Sequence, residues 1–214
     1  MMDERHQNIE KHIGLSVEKI KTILFFGDSN TYGYDPSDFL GGRYPASVRW
    51  TDRLEKRLED QWDILACGQN GRCVPVIPED LYYLEPMLQK AGDLDVFACM
   101  LGTNDVWLTL RPDASAAEMR MDAFLSWLKT RENIREILLI APPAAEVTED
   151  GMQKFAAETK RLSALYRQLA EKHNVKFADA DQWHIPMGYD GVHFLEEGHR
   201  IFAEKMYAVL RGMR

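Results

Sequence analysis

Little in this chain of 214 residues invites a cross-linked, metal-bound or membrane-spanning reading. It has three cysteines, Cys67, Cys73 and Cys99, which cannot all pair and form neither a C-x-x-C nor a Cys/His zinc spacing. They read as free thiols in or near the core. No apolar run approaches a membrane span, and the opening MMDERHQNIEKHIGLSVEKI lacks an apolar stretch of signal-peptide length. The chain is therefore expected to work in the cytosol. A basic excess is lacking: the formal net charge is -8, with acidic residues mixed among basic ones, which argues against nucleic acid or an anionic membrane as the main partner. Internal repeats, low-complexity tracts and Pro/Gly/Ser linkers are lacking too. A chain of this length suits one well-buried core and is short for two, so residues 21–214 are read as a single domain. Residues 1–20 stand apart. Ile9, Ile13, Val17 and Ile20 make one turn-spaced stripe weakened by Gly14, which suits either a loosely docked arm or a helix packed on a second subunit of a homo-oligomer.

What is present is alternation. Apolar runs that suit buried strands occur at Thr22 to Phe26, Asp63 to Ala66, Leu94 to Leu101, Glu136 to Ala141 and Val175 to Ala178. Several are apolar on both faces, as parallel strands covered by helices must be. Between them run helical stripes: Trp50, Leu54 and Leu58; Ala117, Met121, Phe124, Leu125 and Leu128; Met152, Phe155, Thr159, Leu162, Tyr166 and Leu169; and Ile201, Phe202, Met206, Val209 and Leu210. A weaker helix runs from Glu79 and is interrupted or restarted at Pro86. Strands alternating with helices predict βαβ units, hence a three-layer α/β/α fold on a parallel sheet. In such a sheet the loops after the strands gather at one edge, where ligands bind.

Four of those strand ends carry chemistry. The first run, ILFF, leads with no immediate helix into Gly27-Asp28-Ser29; later come Asn70-Gly71-Arg72, Gly102-Thr103-Asn104-Asp105 and Asp190-Gly191-Val192-His193. Singly they are modest signals, because a serine at a strand end is often a helix cap and Asn-Gly is a common turn. Together they supply an acyl-transfer site. Ser29 is the nucleophile, His193 the general base and Asp190 the group that orients the imidazole. The oxyanion donors are the backbone N–H groups of Ser29 and Gly71 and the side-chain amide of Asn104. Gly71 lacks a Cβ that would keep its backbone from a ligand, and Asn104 donates without carrying charge. Asp28 reads as a structural carboxylate pinning the turn. The remaining histidines, His6, His12, His173, His184 and His199, read as surface or satisfied polar residues.

The set resembles the SGNH, or GDSL-type, hydrolase superfamily, whose four blocks match Ser29, Gly71, Asn104 and His193, with the family's Asp at Asp190. Val48-Arg49-Trp50-Thr51 and Met100-Leu101-Gly102-Thr103-Asn104-Asp105 look like its bacterial arylesterase and acyltransferase branch. The resemblance implies a flavodoxin-like sandwich with a five-stranded parallel sheet, and ester hydrolysis without metal or cofactor. The first block departs from the family name: it reads GDSN, with Asn30 where the name has Leu, a position without a catalytic role in that mechanism.

The expected substrate is a small carboxylic ester with a short acyl group such as acetyl, hydrolysed or transferred through an acyl-enzyme on Ser29. Trp107, three residues past Asn104, either walls the acyl pocket or covers the core edge beneath its loop. The same machinery would serve a carbohydrate acetylesterase or a thioesterase. Two remoter alternatives are a metal-dependent phosphohydrolase, with Asp190 and His193 joined by Asp28 or Asp105, and a non-catalytic ligand-binding module.

Overall fold

Residues two apart on a strand share a face, so a strand apolar at every position must be covered on both sides. The first strand does this in the computed structural model of the protein, which describes residues 20–38, 40–108, 111–147, 149 and 151–213. The expected N-terminal arm lies outside the described residues, apart from Ile20.

On β1 (Lys21–Gly27), Leu24 and Phe26 enter one core while Ile23 and Phe25 enter the other. The remaining strands are β2 (Trp62–Gly68), β3 (Leu94–Met100), β4 (Ile134–Ala141) and β5 (Lys176–Asp179). All pair in parallel in the order β2-β1-β3-β4-β5. The expected α/β sandwich with five parallel strands is what forms. Each strand begins and ends within two residues of the apolar run expected to form it.

The first core lies under α3 (Pro78–Ala91), α5 (Ala114–Leu128) and α6 (Gln153–His173); the second lies under α2 (Trp50–Leu58) and α7 (Glu196–Gly212). Every residue of the expected stripe on α5 is buried, as are Trp50, Leu54 and Leu58 on α2. Two short helices, α1 (Ser29–Tyr32) and α4 (Thr103–Trp107), follow β1 and β3 directly. Among the described residues no helix is long and apolar enough to cross a membrane.

Two local expectations need correction. α3 runs unbroken through Pro86. Proline removes the N–H that would reach the Tyr82 carbonyl, but Pro86 and Tyr82 are both exposed, so water can satisfy that oxygen. Buried Leu84 and Leu88 anchor the helix on either side. The second correction is that a helix, α1, follows β1 at once; Asp28 is the turn-pinning carboxylate expected, and it serves as the cap of that helix, accepting from Asn30 N at 3.0 Å. Ser29 is therefore the first residue of the helix and is not needed to cap it.

Candidate active site

β1 is flanked by β2 on one side and β3 on the other, so the connections leaving β1 and β3 diverge above their carboxyl ends. That divergence opens a crevice in sheets of this order. Ser29 emerges there from β1 and Asn104 from β3, each in the first turn of a short helix.

His193 arrives from the loop between β5 and α7. Its Nε2 lies 2.9 Å from Ser29 Oγ, across 164 residues of sequence. Its Nδ1 lies 2.7 Å from Asp190 Oδ2. A carboxylate can only accept, so Asp190 holds the proton on Nδ1 and leaves the Nε2 lone pair facing the serine hydroxyl. The other carboxylate oxygen, Oδ1, accepts from the backbone N–H groups of Val192 and His193, both at 3.0 Å. Burial works to raise the Asp190 carboxyl. The bonds from His193 and Val192 outweigh it and hold the group below the usual carboxylate range, so it stays ionised. Gly191 makes the turn possible: its φ is 67°, and a Cβ there would lie 2.4 Å from the Glu146 carbonyl oxygen. The Tyr34 ring lies over the imidazole, 4.5 Å between centroids.

Asn104 and Gly71 are brought together through Arg72. The Asn104 amide donates one hydrogen to the Arg72 carbonyl at 3.0 Å, which fixes the amide plane and leaves its second hydrogen available. Gly71 occupies a turn closed by Arg72 N donating to Gln69 O at 3.2 Å. Its φ of 71°, with no other residue at positive φ in that turn, is what calls for glycine. A Cβ at Gly71 would meet no protein atom within 4 Å, so the positive φ, and not crowding by the protein, is what requires glycine there. The crowded glycine is Gly68, whose Cβ would lie 2.0 Å from Tyr32 N.

Arg72 holds this turn from beneath. Its guanidinium donates to Gly27 O at 2.8 Å, to Cys67 O, and to Gln69 Oε1 at 3.1 Å, and it stacks over the Phe26 ring at 4.2 Å. Asp105 holds the turn's far end. Its carboxylate accepts from Val74 N at 3.1 Å and pairs with Arg120 Nε at 2.7 Å. Burial pushes the Asp105 carboxyl up to about 6, although the bond from Val74 and the charge of Arg120 pull the other way. Asp28 is likewise pushed up to about 6 by burial, partly offset by the bond from Asn30 N.

Trp107 is half-exposed and packs edge-on against Phe155, ring centroids 5.1 Å apart. It borders a cavity of about 390 Å³ that also touches Asn104, His193 and Tyr189. Asp28 and Asp105 are engaged in the contacts just described, and among the described residues no three His, Cys, Asp or Glu side chains gather as a metal site. Of the other histidines, His173 meets Asp122 at 2.6 Å and His184 is exposed. His199 is fully buried beside Trp50 and is pushed down to about 4 by that burial. His6 and His12 lie outside the described residues. Asn30, Tyr34, Arg72 and the anchoring role of Asp105 escaped the sequence reading. The signal for Asn30 was present as the departure from Leu; for Tyr34 and Arg72 there was none beyond nearness to a motif.

The profile of the GDSL-like lipase/acylhydrolase family matches residues 25–201. No curated protein matches the chain. Among solved structures, the aryl esterase of M. smegmatis is 26% identical with a TM-score of 0.77, covering 91% of this chain and 100% of its own. A carbohydrate acetylesterase family member from Sinorhizobium meliloti is 27% identical with a TM-score of 0.79, covering 91% and 99%. An acetyl-xylooligosaccharide esterase variant from Geobacillus, 20% identical with a TM-score of 0.64 over 88% and 93%, shares the fold. With the family profile spanning all four strand-end motifs, the chain belongs to the GDSL-like lipase/acylhydrolase family and is an esterase of the SGNH type.

Proposed function

We propose that the protein hydrolyses small carboxylic esters with short acyl groups through an acyl-enzyme on Ser29. The observation that carries this reading is the unbroken relay from Ser29 Oγ to His193 Nε2 and from Nδ1 to Asp190, beside a cavity of about 390 Å³ that His193 and Asn104 line. In the first half-reaction Ser29 Oγ adds to the ester carbonyl while His193 Nε2 takes the hydroxyl proton. The tetrahedral oxyanion is met by Ser29 N–H, Gly71 N–H and the free hydrogen of the Asn104 amide. Collapse breaks the bond to the leaving alcohol, which receives the proton from Nε2. Water, deprotonated by the same nitrogen, then releases the acid and restores Ser29.

Acetyl esters of sugars are the second reading. Two exposed aromatic rings, Trp107 and Tyr189, stand at the rim of the cavity and offer apolar faces to a saccharide leaving group. The similarity to a carbohydrate acetylesterase family member, 27% identical, supports the same direction.

A panel of chromogenic esters graded by acyl length, with acetylated sugars alongside, tests both readings on the wild type and Ser29→Ala. The variant is expected to lose roughly 10³ to 10⁶ in kcat, the remainder coming from binding and the oxyanion donors. An organophosphonate should add once, to the peptide carrying Ser29. An adduct elsewhere, or full activity in Ser29→Ala, overturns the assignment.

A further inference from the structure

We infer that Asn30 is a positioning residue for the general base, clamping the loop that carries His193 onto the nucleophile's own turn. This rests on the reading of Ser29 as nucleophile and His193 as base.

Asn30 follows Ser29 directly, and its side chain is buried. Its Oδ1 accepts from Phe194 N at 2.9 Å and its Nδ2 donates to Val192 O at 3.0 Å. Those are the two residues on either side of His193. One amide thus grips the backbone immediately before and immediately after the base, from the residue next to the nucleophile. Its orientation is forced, because Phe194 N can only donate and the Val192 carbonyl can only accept. Behind it, the Asn30 carbonyl accepts from the buried indole Nε1 of Trp50 at 2.9 Å. The turn that bears Ser29 is therefore held against α2 on one side and the base loop on the other.

Asp190 fixes how the imidazole is rotated, through Nδ1. It belongs to the same loop as His193, so it cannot fix where that loop sits relative to Ser29. The other loop contacts, Glu146 N to Gly191 O at 2.7 Å and Gly188 N to His193 O at 2.6 Å, lead away from the β1 turn or stay within the loop. Asn30 supplies the hydrogen bonds that tie backbone on both sides of the base to the nucleophile's segment. A shift of about 1 Å between reacting groups can cost on the order of 10²-fold in rate, so a two-point clamp at this place acts on the chemical step. Leucine, the residue of the family's name, fills similar space but can make neither bond, and would leave Phe194 N buried without a partner.

The test compares Asn30→Leu, which loses both bonds, with the isosteric Asn30→Asp, which keeps the acceptor for Phe194 N and sets a second acceptor against the Val192 carbonyl. Both are assayed with a short-chain chromogenic ester well below their melting temperatures, beside the wild type and Ser29→Ala. The expected result is a kcat lower by roughly 10- to 100-fold in each variant with KM within about twofold, and a parallel fall in the rate of phosphonate addition to Ser29. The downfield proton resonance of His193 Nδ1–H, assigned by its loss in His193→Ala, should broaden in both. A purely structural asparagine would lower the melting temperature and leave kcat and this resonance alone, and that pattern overturns the inference. If Asn30→Leu does not fold, Asn30→Asp decides: wild-type kcat in a folded Asn30→Asp protein removes the clamp. Full activity in Ser29→Ala would instead overturn the nucleophile assignment on which the clamp depends.

Discussion

In the proposed mechanism Asn104 binds a charge that exists only while the tetrahedral intermediate does. Asn104→Ala is therefore expected to lower kcat by about 10² to 10³ with little change in KM, because the lost bond is stronger in the transition state than in the ground state. Steady-state kinetics on the ester panel reads this directly, and a change confined to KM would make Asn104 a substrate-binding residue. The proposed role of Trp107 belongs to the opposite moment, when the acyl group is bound. If its indole limits the pocket, kcat/KM falls from short to medium chains, and Trp107→Ala flattens or reverses that trend by up to ~1 kcal/mol per accommodated methylene. An unchanged chain-length profile in the folded variant removes Trp107 from the site. At this scale the sequence showed identity well and partnership poorly. Ser29, Asn104, Asp190 and His193 could be named because each stands in a short motif whose chemistry is local. Asn30 could not be given its role, since its partners Val192 and Phe194 are 162 and 164 residues away and only the folded chain brings them near.

Among the elements, the stripes on α2 and α5 could be read because burial has the period of the helix. α3 was harder: its exposed positions carry Tyr82, Tyr83 and Pro86, so neither amphipathicity nor propensity marks it as continuous. This invites a direct measurement. Pro86→Ala restores an N–H that can reach the Tyr82 carbonyl at an exposed site, and should stabilise the protein by about 1–2 kcal/mol once the greater freedom of the unfolded chain is deducted. Thermal melting should register a rise of a few degrees, and a fall would mean that proline is tied to this helix by a contact its exposure does not reveal. Strand positions were legible from their apolar runs. Strand order was not a product of those runs, because pairing depends on which edges the crossovers reach; the family resemblance implied only a flavodoxin-like sheet of five parallel strands.

For the molecule as a whole, two buried carboxylic acids and one buried imidazole govern how stability responds to pH near neutrality and below. Asp28 and Asp105 have folded values of about 6 against an ordinary 3.8, burial being the main cause in both. As pH rises from about 4 to 6 the unfolded chain gives up these protons first, so the folded state holds more protons and stability declines across that window. Asp52, Asp122 and Asp190 are shifted the opposite way, so their contribution is lost as pH falls through their depressed values. His199, pushed down from 6.5 to about 4 by burial, opposes the two carboxyls over the same window, because the unfolded imidazole takes up a proton that the folded one refuses. Two carboxyls against one imidazole leave a modest net fall in melting temperature between about pH 4.5 and pH 6.5, which then levels off. Asp28→Asn keeps the capping acceptor and removes the buried charge. At about pH 7.5 it should gain on the order of 2 kcal/mol, or roughly 4–8 °C, with a smaller gain at about pH 4.5. A variant that melts below the wild type at the higher pH would show that the ionised carboxylate is held by more than Asn30 N. The strand order has its own bearing on how the chain is made. Because β1 is central and the order is β2-β1-β3-β4-β5, every strand after the first meets, as it leaves the ribosome, an open edge of a strand already synthesised. The sheet can grow outward in the order of translation, and the segment bearing His193 arrives after all five strands but before α7, so a nascent chain has its whole sheet laid down before the proposed base can reach Ser29.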